Sequence, residues 1–280
     1  MVRKLAIPFL MLITMTGNAH AEVLRFGVVP QQSASRLARV WLPVLEVVSK
    51  ETGLQIEFTT TKDIPTFESC LAEQRYDLAY MNPYHYIVFH ESAGYTAFAK
   101  QAGHRLKGIL VARKGSNVEE LEDLQGSQLA FPSPAAFGAS VIPRAELVVA
   151  GVTFSPVYVK SHDSVYLSVA AGLFPAGGGV LRTWNTVAPE VKDQLQILHS
   201  TRDYTPHAFA SSPSLGVDRV KSVQKALTAL QTQTPDVIKS LGMKGIEQAV
   251  DADWDDIRSL NLTKKQTEVF DRDSGKCPSN

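Results

Sequence analysis

Leu129-Ala130-Phe131 is an apolar run that stops at Pro132-Ser133-Pro134. The small-residue segment Ala135-Ala136-Phe137-Gly138-Ala139-Ser140 follows and leads into Ala145-Glu146-Leu147, which has helical character. A strand that feeds a small-residue turn and then a helix start can hold an anion. Unpaired backbone N–H groups and the positive end of the helix dipole converge there. Ordinary turns of α/β proteins share this pattern, so the segment points to a ligand site only in company with others.

The remaining chemistry-bearing residues form no reaction motif. His85, His90, His104, His162, His199 and His207 are scattered, and the five-residue step from His85 to His90 misses one helix face. No nucleophile has a local base signature, and G-x-S-x-G, H-E-x-x-H and C-x-x-C do not occur. Nothing points to catalytic residues, a resident metal or a cofactor. The two cysteines are Cys70 and Cys277. In an oxidising compartment they can pair and tie the tail to the first domain. Equally, Cys70 fits a buried thiol and Cys277 a tail residue.

Met1-Val2-Arg3-Lys4 is a basic start, and residues 5–15 are mostly apolar but too short to span a bilayer. Ala19-His20-Ala21 ahead of Glu22 fits a small-x-small cleavage site. Pro8 and Gly17 argue against one continuous buried helix. Residues 1–21 therefore read as a signal peptide, and the mature chain as a soluble periplasmic protein without membrane insertion. With Arg3 and Lys4 removed, 26 of the 28 basic residues remain against 28 acidic ones. That balance offers no basic block for nucleic acid or a membrane surface. The roughly 260 remaining residues can bury the core of one or two domains.

These residues need elements to position them. Residues 23–29 read as a strand, 36–52 as a helix with Pro43 inside it and Gly53 after it, 54–60 as a strand, 64–73 as a helix and 76–80 as a strand. A second unit repeats the alternation: strands at 106–112, 128–131 and 157–159, helices at 118–124, 139–150 and 164–172, and a glycine-rich strand at 176–181 suited to close backbone approach. Residues 196–199 look like a return strand, and 217–234 and 246–260 like helices covering the first unit. The alternation predicts parallel sheets covered on both faces, in two α/β lobes with a cleft between them.

Four segments, in order, resemble the periplasmic solute-binding proteins of the phosphate/phosphite/phosphonate ABC-transporter family. They are Arg25-Phe26-Gly27-Val28-Val29-Pro30 with Trp41-Leu42-Pro43; Tyr76-Asp77-Leu78-Ala79-Tyr80 with Asn82-Pro83; residues 121–131, LEDLQGSQLAF; and Ser161-His162-Asp163-Ser164. Together they cover about residues 23–184. The resemblance implies a two-lobed α/β binding protein of type II-like plan, each lobe a mostly parallel sheet flanked by helices, closing by a hinge on one small solute. Lobe 1 is then residues 22–105 plus 206–280, and lobe 2 residues 106–205. The solute passes to an ABC permease. A second reading is a sensor that presents its ligand to a membrane histidine kinase or chemoreceptor.

Carried over position by position, the resemblance places Gln31, Gln32 and Ser33 after the first strand, with Ser33 or Ser35 able to cap the next helix. It adds Tyr80, Asn82 and Tyr84, with Asn82 as polar contact and Tyr84 as aromatic wall, although Tyr80 also fits the core. In the second lobe it implies Ser133, Ala136, Phe137 and Gly138, then His162 and Asp163, with Asp163 also able to cap the helix at Ser164. Arg182 or Trp184 can line the cleft, although Arg182 reads more readily as a surface ion-pair partner. Phosphonate-binding members tend to carry hydroxyl residues similar to Ser-Thr-Ser-Gly where this chain has Ala135-Ala136-Phe137-Gly138. Each lost charge-assisted bond costs about 1.5–3 kcal/mol. The substitution disfavours tight binding of a tetrahedral dianion and favours a larger, softer or less charged ligand. Asn82→Ala and His162→Ala are expected to weaken binding with little effect on folding.

Overall fold

The computed structural model describes residues 23–262, 267–268 and 276–278. The segment read as a signal peptide lies outside them. The chain runs β1 (Val23–Val28), α1 (Ala34–Thr52), β2 (Gln55–Thr59), α2 (Ile64–Ala72), β3 (Leu78–Met81), α3 (Pro83–Ala93) and β4 (Thr96–Gln101). It then crosses to β5 (Leu106–Arg113) and β6 (Ser127–Phe131), and a π-helical turn, Phe137–Val141, runs into α4 (Ile142–Val149). Next come β7 (Phe154–Tyr158), α5 (His162–Ala170), β8 (Ala176–Val180), α6 (Leu181–Trp184), α7 (Pro189–Lys192) and β9 (Leu195–Tyr204). The return half holds β10 (Ala208–Ser211), α8 (Val217–Gln233), α9 (Pro235–Ser240), β11 (Ile246–Gln248) and α10 (Asp255–Arg258).

The strands form two sheets, ordered β11-β4-β10-β3-β1-β2 and β7-β6-β8-β5-β9. Both are mixed rather than mostly parallel. β1 is parallel to β2 and β3, and β6 to β7 and β8, as βαβ crossovers require. β10, arriving from the other lobe, inserts antiparallel between β3 and β4. β5 is antiparallel to both β8 and β9. The chain crosses between the sheets twice, after β4 and after β9.

α1 forms because Leu37, Trp41, Val44, Leu45 and Val48 make one buried stripe, and Gly53 ends it at φ 70°. Pro43 lies on the exposed side and does not divide the helix. Two elements carry no local pattern to read, and one expectation changes. α3 is buried along nearly its whole length, Pro83 to Phe89 without a break, so it carries no polar stripe to read. β10 is four buried residues without alternation. Residues 246–260 are not one helix. Ile246 pairs with Gln101 of β4, and a 3₁₀ turn, Asp251–Trp254, precedes α10. Tertiary pairing overrides local propensity there.

In lobe 1, Trp41 lies 4.8 Å from Tyr80 and 5.4 Å from Phe26 between ring centroids, and Tyr80 lies 4.9 Å from Phe209. This aromatic core continues into Ala135, Ala136, Phe137 and Val180 of lobe 2, so the lobes are packed together. Cys70 and Cys277 form a disulfide with Cα atoms 4.7 Å apart, which decides the alternative the sequence left open.

Candidate functional site

The carboxyl ends of the parallel strands meet between the lobes. Gln31 follows β1, Asn82 follows β3, residues 135–139 follow β6, His162 follows β7 and Arg182 follows β8. This is where α/β sheets present loops and helix starts to a ligand. The cavity is lined by the polar residues Gln31, Asn82, His162 and His207 and by the apolar residues Val29, Ile64, Ala136, Phe137, Ala139 and Val180. Its volume is about 10 Å³, so solute entry requires the lobes to part. A larger hollow of about 720 Å³, between α4, β7 and Leu262, shares none of these residues.

The lobes meet through specific bonds. Asn82 Nδ2 donates to the Ala135 carbonyl at 3.1 Å, and the His162 N–H donates to the Gln31 carbonyl at 3.1 Å. Gln32 Nε2 donates to Thr186 Oγ1 at 2.9 Å, and Arg36 pairs with Asp163 at 3.6 Å. Arg144 holds the turn after β6 in place, donating to the Pro134 carbonyl at 2.8 Å and to Tyr158 Oη at 3.1 Å.

Of the expected residues, Gln31, Asn82, Ala136, Phe137, Gly138 and His162 line the cavity. Gln32 and Asp163 lie at the lobe contact just described. Ser33 is exposed, and it occupies the N-cap of α1 without a side-chain cap bond. Tyr80 is core, stacked on His207 at 5.0 Å. Tyr84 is buried away from the cavity lining and accepts from Thr267 at 3.1 Å, so Phe137 supplies the aromatic wall instead. Ser133 is buried outside the lining. Asp163 does not cap α5; Ser161 does, accepting from the Ser164 N–H at 3.1 Å.

One polar residue of the cavity lining was not foreseen, and the secondary reading of Arg182 is the one that fits. His207 sits between β9 and β10, where no local pattern marks it. Arg182 is part-buried, not a surface ion-pair partner. It donates to Gln31 Oε1 and lies 5.5 Å over the Tyr80 ring. Its position one residue into the helix after β8 was the available signal. Burial first, and the Arg182 charge second, hold His162 down at about 3. The same causes, in the same order, hold His207 well below the ordinary imidazole value and lower His104. His162 Nδ1 lies 3.0 Å from Thr183 Oγ1, and His207 Nε2 lies 3.1 Å from Gln31 Nε2. Uncharged imidazoles and a carboxamide therefore surround a single guanidinium.

Residues 26–254 match the model of the ABC transporter, phosphonate, periplasmic substrate-binding protein family. The chain belongs to this family. It is a periplasmic substrate-binding protein of an ABC importer. The phosphate-import protein PhnD of Mycolicibacterium smegmatis is 23% identical over 234 residues, covering 74% of this chain and 73% of that one. The binding protein of an ABC phosphonate transporter from Pseudomonas aeruginosa superposes with TM-score 0.80 at 18% identity, over 88% of this chain and 87% of that one. PhnD1 of Prochlorococcus marinus, in complex with methylphosphonate, gives TM-score 0.77 at 18% identity, over 85% and 98%. These structures share the two-lobed fold.

Two results are expected of this binding protein. Asn82 is the N-cap of α3 and only 3% exposed, and its Oδ1 accepts from the His85 N–H at 2.7 Å. Asn82→Ala therefore costs about 1–2 kcal/mol of folding stability besides its effect on the cleft. This corrects the expectation of intact folding, and urea unfolding will show it as a lower midpoint at unchanged slope. The second result concerns pH. Below pH 6.5 the unfolded imidazoles of His162 and His207 take up protons that the folded ones exclude. Stability falls with falling pH from that point, by up to about 1.4 kcal/mol per unit for each histidine. Urea midpoints measured from pH 7.5 to 5 should drop, and His207→Gln should flatten the slope. A flat wild-type profile would contradict the buried neutral state.

Proposed function

We propose that this protein is exported, captures a small organophosphonate between its lobes and delivers it to an ABC permease. The mixed lining of the cavity carries the reading. Gln31, Asn82 and His162 can meet an oxyanion head, and Phe137, Ile64 and Val180 can meet a small organic substituent. Inorganic phosphate has no apolar group to place against the apolar lining, so the organic ligand is favoured. The matched family and the names of the relatives support a phosphorus oxyanion, and the hydroxyls missing after β6 predict that it is held less tightly than by phosphonate binders that carry them. The Cys70–Cys277 disulfide suits an oxidising periplasm. Among the described residues no helix is long and apolar enough to cross a membrane. Sheet membership supports lobe 1 as residues 22–105 plus 206–280 and lobe 2 as residues 106–205, with hinges at the two crossings.

Melting of the protein with methylphosphonate, phosphate, sulfate and acetate tests the reading. A ligand at 100 times its Kd adds about 2.7 kcal/mol to the folded state. Methylphosphonate should raise the Tm at concentrations where phosphate does not. A shift with sulfate or acetate alone would overturn the phosphorus reading.

A further inference from the structure

Arg182 is the feature of the cleft that the family match leaves without a role. Its guanidinium enters from lobe 2, donates to the carboxamide of Gln31 in lobe 1 and lies over the Tyr80 ring. No ion pair joins it to a carboxylate among the described residues. The neighbouring groups are Gln31, Tyr80, His104, His162 and His207, none of them an anion. A part-buried charge without an opposite partner is unfavourable unless something else compensates it. The bonds it makes, to one amide oxygen and one ring face, leave the other donors of a five-donor fork to serve an oxyanion.

We propose that Arg182 is the specificity-determining residue of the cleft, pairing with the ligand's anionic group and rejecting ligands that carry a cationic amine. The inference rests on the phosphorus-oxyanion reading above. Arg182 is outside the lining of the closed cavity, but it bonds Gln31, which is part of that lining, so a ligand head that replaces Gln31 at the guanidinium as the lobes part can pair with it. In a small cleft, a substituent charge stays near enough to interact with it strongly, because the surroundings are poorly solvated. An ammonium group would meet a like charge and no carboxylate.

Isothermal titration with three phosphonates of closely similar size tests this, because only the substituent charge varies. The probes are phosphonoacetate, propylphosphonate and 2-aminoethylphosphonate. The wild type should bind 2-aminoethylphosphonate at least about tenfold more weakly than phosphonoacetate, two charged substituents that the apolar lining disfavours alike. Arg182→Gln should weaken all three and shrink that spread below about threefold, and Arg182→Glu should reverse the order. Arg182→Lys keeps the charge and should keep the order at lower affinity. A wild-type preference for the amine overturns the proposal even if no variant folds. So does a spread unchanged in Arg182→Gln, which would make Arg182 a mere contact between lobes. Failure of all three probes and methylphosphonate to bind the folded wild type would overturn the phosphorus reading, and the proposal with it.

Discussion

Gly178→Ala is expected to lower folding stability by about 3 kcal/mol and solute affinity by more than about tenfold. A Cβ at residue 178 would lie 1.9 Å from the carbonyl oxygen of Ala139, a backbone atom that no rotamer change can move away. On the neighbouring strand, a Cβ at Gly108 would lie 2.1 Å from the Gly138 carbonyl oxygen. The turn after β6 therefore rests its backbone directly on β5 and β8, and the same turn contributes Phe137, Gly138 and Ala139 to the cavity. Displacing it moves the apolar wall and the helix start together. Gly216→Ser is the control. That glycine is the N-cap of α8 with nothing within 4 Å of an added Cβ, and serine caps at least as well. Urea unfolding and titration with methylphosphonate on both variants decide the matter. A Gly178→Ala protein with wild-type midpoint and affinity would show that the turn is not seated as described.

Removing the disulfide, by Cys70→Ser with Cys277→Ser, should cost about 2–5 kcal/mol. The bond joins α2 to the chain's end across a sequence separation of 207 residues. Loop-closure entropy grows with the logarithm of that length, so a long loop lies at the upper end of the range. Cys70 itself is 2% exposed, and Cys277 packs against the same core. The serine pair therefore also leaves a hydroxyl in apolar surroundings at Cys70. Wild-type protein unfolded in urea with and without dithiothreitol separates the two contributions, because reduction removes the cross-link and adds no hydroxyl. Coincident curves would mean that the cross-link contributes nothing to stability.

The two-lobed α/β plan was legible because β1, α1 and the strands of the second unit carry clear periods and stops. Gln31, Asn82, Phe137 and His162 came from the family resemblance, which implies a ligand at strand carboxyl ends, and all four line the cavity. Tyr84 shows the limit of this logic. It lies two residues beyond Asn82, but α3 begins between them and its first turn carries the ring into the core. Ser33 stands at the N-cap of α1 as expected, but its hydroxyl makes no cap bond, and at α5 the residue with the extended backbone before the helix is Ser161 rather than Asp163. The glycine-rich strand was read correctly as a place of close approach, but what approaches it was not readable.

The alternation of strands and helices, the near-neutral charge and the strand ends from which a cleft is built are all written in local residue order. The sequence also narrowed the cysteines to one possible pair. Tertiary structure alone decided that this pair forms, that β10 and β11 complete the first sheet, and that Arg182 meets Gln31 across 151 residues of chain. Periodicity reports only which face of an element is buried. Which groups from distant elements share that buried space is set by packing and lobe closure, and those interactions have no local period.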